Sequence, residues 1–323
     1  MNYIVFDLEW NQSPNGKKNS VADMPFEIIQ IGAVKVNSEF QITEEFNRFI
    51  KPKEYLQLHS KVREILGITM KDLEHGDEFQ RVIDDFMTWC GNDYMFCTWG
   101  SMDLVELQRN MKHFGVEIPF PMPFLFYDLQ KLYSLCYSDG KSRITLQHAI
   151  EERGIVSDDD YHHAVNDARY TAKVLQNMDF DKVKEYVSVD TYRIPSSKKE
   201  EIALTFGDYA KYISRGFVKR EAAASDREVR SCKCFLCGNN MRRVIKWFAT
   251  NGKNYYGLFE CEEHGLVKGR FKTKQADNGK YYTVKIMKLT DEEGAEKIKQ
   301  RQVREREHRK MKRHAQTIHK NEQ

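Results

Sequence analysis

No stretch of this 323-residue sequence reaches the roughly 18 to 20 consecutive apolar residues of a membrane span, so no transmembrane helix is expected. The N-terminal MNYIVFDLEW lacks a basic leader, and Asp7 and Glu9 interrupt its apolar run, which argues against a secretory signal. Glycine (18) and proline (7) are scarce beside 12% aromatic residues, excluding a collagen-like, mucin-like or wholly disordered chain. No internal repeat is present. A surplus of one charge is also missing: 51 Lys+Arg face 48 Asp+Glu, for a net +3. A soluble, cytoplasmic protein of one large or two ordinary domains is the expectation.

The near-zero total conceals an asymmetry. Residues 191 to 323 carry 31 basic and 17 acidic side chains, a balance of +14, which leaves 20 basic and 31 acidic, or −11, for residues 1 to 190. Two halves of opposite sign imply two tasks. The texture changes near residue 190, giving expected divisions at 1–190, a linker with a short basic helix at 191–230, a compact cysteine-bearing domain at 231–290 and a basic tail at 291–323. The tail's apolar residues, Ile298, Val303, Met311 and Ile318, are too sparse for a core stripe, so it is expected to be a solvated helix or a disordered arm.

In the first half, periodicity predicts strands near 3–10, 26–37 and 44–52, a helix near 77–90, and a strand at DYMFCTWG. Helices follow near 103–114, 127–137, 145–153, where Thr145 is a fitting N-cap, and 164–178. The order βββαβα describes an α/β fold, a mixed sheet flanked by helices. Residues 206–217 place Phe206, Tyr209, Ile213 and Phe217 on one helical face and Lys211, Arg215 and Lys219 at four-residue intervals on another.

Asp7 and Glu9 stand two apart on a predicted strand, so both carboxylates leave the same face. Alone, D-x-E is more often a solvated strand end. Asp103 begins a helix just after a strand, where the ordinary reading is a helix N-terminal acid, and Asp167 follows His162 by five residues within a helical pattern. Their joint occurrence changes the balance. FDLEW, EIIQIGAVKV, WGSMDLVEL and HHAVNDARYTA resemble the motifs of the DEDDh 3′ to 5′ exonucleases, of the ribonuclease H-like superfamily, over about residues 1 to 180. The segment LGIT brings the sequence nearest to the Eri-like branch that includes KapD.

The resemblance implies a two-metal hydrolysis of phosphodiester bonds. Asp7, Glu9, Asp103 and Asp167 would hold two Mg²⁺ or Mn²⁺ ions about 3.5 to 4 Å apart, stabilising attacking and leaving oxygens. His162 would be the general base, with His163 as its rival. It also implies a terminal-nucleotide pocket lined by Trp10, Asn11, Leu66 and Ile68, although core packing is an equal reading for the two aliphatic residues. One departure stands out: the family's aromatic residue before the second-motif aspartate is replaced by Met102, with Trp99 four residues before Asp103.

Of seven cysteines, Cys90, Cys97 and Cys136 are scattered, as inert core thiols usually are. CFLC supplies Cys234 and Cys237, and CEEH supplies Cys261 and His264, a pairing that predicts one structural zinc in a ribbon. Cys232 is spare. Alternation in LVKGRFKTK places Lys268, Arg270, Lys272 and Lys274 on one strand face, near Trp247, Tyr255, Tyr256 and other rings. Basic rows with aromatics suit single-stranded nucleic acid, although core rings and solubilising lysines are the plainer reading.

Three functions compete at this level: a 3′ to 5′ exonuclease on single-stranded RNA, a DNA exonuclease in proofreading or repair, and a non-catalytic zinc-ribbon adaptor. RNA is preferred over DNA through the Eri-like resemblance. Retention of all four carboxylates and a histidine weighs against the adaptor.

Overall fold

A computed structural model describes residues 1–156, 163–250 and 252–321. It divides into two compact units, Met1–Asp190 and Thr191–Gln323. Among the described residues no helix is long and apolar enough to cross a membrane.

The first unit is built on a six-stranded mixed sheet. Its strands are β1 (Asn2–Gln12), β2 (Phe26–Val36), β3 (Ile42–Phe49), β4 (Tyr94–Thr98), β5 (Leu125–Asp128) and β6 (Ser188–Val189), in the order β3-β2-β1-β4-β5-β6. The first three form an antiparallel meander, joined by residues 13–25 between β1 and β2 and by the short loop 37–41 between β2 and β3. β4 instead pairs parallel to β1, after a crossover through α1 (Ser60–Leu66), α2 (Met70–Glu74) and α3 (Phe79–Cys90).

Side-chain alternation along β1 feeds two cores. Ile4, Phe6 and Leu8 join Phe79, Val82 and Phe86 of α3 and Leu104 and Leu107 of α4 (Met102–His113) on one face. Val5 joins Leu132 and Tyr133 of α5 (Leu129–Tyr137), Ala149 of α6 (Leu146–Glu152) and Tyr170 and Val174 of α7 (Ala164–Gln176) on the other. Thr145 caps α6 by accepting from the His148 amide. β5 is a short strand where the sequence pattern suggested only the start of a helix.

The second unit corrects two expectations. Residues 191–230 are not a linker around a basic helix: β7 (Ile202–Thr205) and β8 (Tyr209–Ile213) are strands. They continue a six-stranded antiparallel sheet with β9 (Arg242–Thr250), β10 (Asn254–Cys261), β11 (Gly265–Gln275) and β12 (Tyr281–Leu289), in the order β7-β8-β12-β11-β10-β9. The ladder of β8 on β12 pairs Ile213 with Val284 and Tyr209 with Lys288, and these cross-strand bonds outweigh the local helical spacing. The helix in this stretch is instead α8 (Arg220–Ser225).

The tail forms α9 (Glu292–Asn321). It is not wholly solvated, since Ala295 and Ile298 bury against Ile245 and Leu258 of the sheet, while Val303 and Met311 are exposed.

Candidate active site

Three acids meet on the first unit's sheet. One carboxylate oxygen each from Asp7, Glu9 and Asp167 lie within 4.8 Å of one another. β1 supplies the first two from one face, and the opening turn of α7 supplies the third.

A close contact sets that third position. Asp7 pairs with Gly32 of β2, and a Cβ built on Gly32 would meet the Ala164 and Val165 backbone at 2.1 and 2.0 Å. Glycine therefore allows the N-terminus of α7 to rest directly on the sheet. Gln30, opposite Glu9, strengthens this contact: its Oε1 accepts from the Ala164 amide at 3.4 Å, and its Nε2 donates to Asn47 at 2.9 Å. The sequence reading missed both residues, whose importance rests on a partner more than 130 positions away.

Asp103 sits in the first turn of α4, 6% exposed, and its carboxylate accepts from the Leu8 amide and its own. It lies outside the three-acid group but within its electrostatic reach. Burial, then the charges of Asp103, Glu9 and Asp167, pushes Asp7 well above the ordinary carboxylate range. Burial, then Asp167 and Asp103, raises Glu9 to about 8. Burial likewise lifts Asp103 to about 7, against the opposing pull of its amide hydrogen bonds. Oxygen-only donors that resist ionising together fit a hard divalent cation, which removes the repulsion.

His162 lies outside the described residues. His163 is the N-cap residue of α7, and its carbonyl accepts from the Asp167 amide at 3.0 Å.

Trp10, Asn11, Leu66 and Ile68, expected to line a nucleotide pocket, each make contacts within the first unit. Asn11 is fully buried, and its side-chain amide donates to the Tyr55 and Gln57 carbonyls and accepts from the His59 amide at 2.9 to 3.0 Å. It fastens the 55–59 loop. Leu66 and Ile68 are buried with Ile29 and Leu73 in a small apolar cluster. Trp10 packs against Phe26. Trp99 packs beside Tyr133 and donates to the Ile144 carbonyl, whereas Met102 is 47% exposed.

In the second unit, Cys234, Cys237, Cys261 and His264 also offer ligand atoms within 4.8 Å of one another. The Cys237–Cys261 sulfurs are 3.6 Å apart, and His264 Nδ1 lies 3.8 and 3.7 Å from the sulfurs of Cys234 and Cys261. With Zn–S bonds of about 2.3 Å, the edge of a tetrahedron is about 3.8 Å, so the cluster is compatible with zinc. The knuckle turns through Gly238 at φ +75°, where its amide bonds the Cys234 carbonyl. The His264 ring beside Cys261 holds that thiol at about 6, favouring the thiolate a metal needs. Cys232 stands apart, its Sγ directed to the Arg230 carbonyl.

A mixed sheet with clustered carboxylates on one face is compatible with a divalent-cation site. Residues 4–175 match the exonuclease family RNase_T, and the chain belongs to that family. A probable 3′–5′ exonuclease, KapD, of Bacillus subtilis is 28% identical over 184 residues, covering 55% of this chain and 85% of KapD. DNA polymerase III of the PolC type from Clostridium perfringens is 28% identical over 198 residues, 61% of this chain but 12% of the polymerase's length. The nuclease domain of 3′hExo, described as a DEDDh family member and bound to rAMP, superposes with TM-score 0.50 at 19% identity, covering 58% of this chain and 96% of that one. This last likeness establishes the ribonuclease H-like fold.

Proposed function

We propose that the protein is a 3′ to 5′ exonuclease acting on single-stranded nucleic acid, RNA in preference to DNA. The convergence of Asp7, Glu9 and Asp167 beside buried Asp103 carries this reading. These four carboxylates would hold two Mg²⁺ or Mn²⁺ ions. Such ions would stabilise both the attacking and the leaving oxygen of the phosphodiester. The chain's own part is to fix the acids on rigid elements and to take a proton from the attacking water at His162, whose unperturbed range suits neutral pH. We place this activity in the cytoplasm, since Cys90, Cys97 and Cys136 are free thiols suited to a reducing compartment.

The second unit supplies the grip. On β11, Lys268, Arg270, Lys272 and Lys274 share the face on which α9 lies, as alternation required. Tyr256, on the neighbouring strand, has Arg301 of α9 at 4.4 Å and Arg270 at 5.9 Å from its ring centre. Phosphate neutralisation beside a ring supported by arginines suits a single strand. The zinc would be structural, since four protein ligands leave no open position.

The likeness to a PolC-type polymerase favours a second reading, a DNA exonuclease in proofreading or repair. Digestion of 5′-labelled RNA and DNA strands with Mg²⁺ or Mn²⁺ separates the two. A one-nucleotide ladder on RNA, lost in Asp7→Asn, is expected; a ladder on DNA alone reverses the substrate, and no metal-dependent shortening of either strand sinks the enzyme.

A further inference from the structure

The first unit contains a second polar site that the carboxylate cluster does not use. Helix α5 and the loop after it enclose a cavity of about 150 Å³, lined by Gln130, Lys131, Ser134, Lys141, Ser142 and Arg143, with Asp128 beside them. Three cations face one carboxylate. That carboxylate is already engaged, accepting from the Lys131 amide at 3.0 Å as the N-cap of α5 and from the Gly100 amide. Lys131 Nζ gives one N–H to the Tyr186 carbonyl at 3.0 Å, which leaves two of its three donors for a ligand.

The second observation is a buried hydroxyl. Ser134 is 1% exposed, and among the described residues its Oγ has no hydrogen-bond partner. Such an orphan is costly unless a ligand oxygen completes it. Burial also lowers the Lys131 pKa, as expected of an ammonium held without a full complement of anions.

The loop is shaped in advance. Asp139 accepts from the Lys141 and Ser142 amides at 2.8 and 2.7 Å, and the Gly140 amide bonds the Ser134 carbonyl at 3.0 Å. Trp99 and Gln130 both donate to the Ile144 carbonyl, at 3.1 and 2.9 Å. A small polar cavity with an excess of cations, a free hydroxyl and a fixed rim suits a tetrahedral oxyanion.

Its position supplies the identity. Asp128 ends β5 and pairs with Thr98 at the end of β4, and Gly100, which bonds Asp128, precedes Asp103 by three residues. Asp7 and Glu9 lie beyond the part of β1 that pairs with β4. Cavity and acids thus share the carboxyl edge of the parallel strands, where ligands of open α/β sheets bind.

We propose that this cavity seats a backbone phosphate of the strand whose 3′ end lies at the carboxylates. The identity of the strand rests on the exonuclease reading; binding of the phosphate does not. The first test titrates inorganic phosphate into the zinc-loaded full chain without Mg²⁺, following amide shifts. Saturable shifts confined to residues 134 and 140–143, lost in the exposed-site variant Arg143→Ala and weakened in Ser134→Ala, are expected. Absence of saturable shifts, or shifts unchanged in Arg143→Ala, overturns the proposal.

The second test walks a single neutral methylphosphonate along the substrate strand. At one linkage it should raise KM about tenfold in the wild type with kcat preserved, and have no further effect in Arg143→Ala. Equal penalties in both proteins mean that the cavity binds free phosphate only, and overturn the strand assignment. If no strand is cut by the wild type, the exonuclease reading has failed, and the phosphate titration still decides the cavity.

Discussion

A Cβ placed on Gly32 would lie 2.0 Å from the Val165 amide nitrogen, so the first turn of α7 is held against β2 by the absence of a side chain. Gly32→Ala must displace backbone rather than a flexible side-chain end, and it moves Asp167 away from Asp7. A destabilisation of about 2 kcal/mol or more is expected in urea unfolding, with loss of divalent-metal response. A variant with unchanged stability and metal affinity would show that α7 does not depend on this contact.

Metal binding should register as stability. The three acids repel one another when ionised, and an ion removes that repulsion; Mn²⁺ at a hundred times its Kd should stabilise the first unit by about 2.7 kcal/mol for each site it fills. Asp7→Asn should be more stable than the wild type in metal-free buffer and less responsive to Mn²⁺. Equal thermal shifts in both proteins would remove the three acids from metal binding.

The cysteine and histidine cluster makes a separable prediction. Cys261→Ser should lose about one zinc per chain by elemental analysis and loosen residues 232–264, while the Mn²⁺ response of the first unit stays intact. Binding of long strands should weaken more than cleavage of very short ones. Equal loss on both lengths would make the second unit part of catalysis.

Salt dependence tests the basic row. For single strands the slope of log K against log salt is about −0.7 per neutralised phosphate. Replacing Arg270 and Lys272, both exposed on β11, by alanine should reduce the magnitude of that slope by about 1.4 units. An unchanged slope would leave the row as a solubilising surface.

Lys285 sets a pH dependence in the second unit. Burial holds its ammonium down to about 8, with its Nζ donating to the Glu228 carbonyl at 2.7 Å beside the Tyr212 ring. The unfolded chain keeps that proton to about 10.4, so between these values the unfolded state binds more protons and stability rises with pH. Lys285→Met lacks this rise. The stability difference between variant and wild type, measured by urea midpoints at pH 7.5 and 9.5 with zinc present, should therefore shift in the wild type's favour at the higher pH. A constant difference refutes the assignment.

Much of the first unit was legible because its signals are local. Two-residue alternation placed Asp7 and Glu9 on one face, and Phe79, Val82, Ile83 and Phe86 kept the spacing that α3 buries. The second unit misled at residues 206–217, where Phe206, Tyr209 and Ile213 imitate a helical stripe. Their fate was decided by β12, some seventy positions further on. Gly32 and Gln30 carried no sign of their closeness to α7, and Asn11 carried none of its bonds to the 55–59 loop. The gathering of Cys234, Cys237, Cys261 and His264 was legible because C-x-x-C and C-x-x-H spacings are those that bring four ligand atoms within reach of one ion.

Helix α9 grows from an anchored start. Ala295 and Ile298 fix its opening turns on the sheet, and Arg301 and Arg309 extend the contact to Tyr256 and the Ala249 carbonyl. An isolated helix of this composition would meet the full barrier of forming its first turn, a factor of about a thousand in probability. Here the sheet acts as a template that removes this barrier, so each further residue needs only to propagate. Helix α9 thus reaches Asn321 by propagation alone, each turn resting on the one already anchored to the sheet.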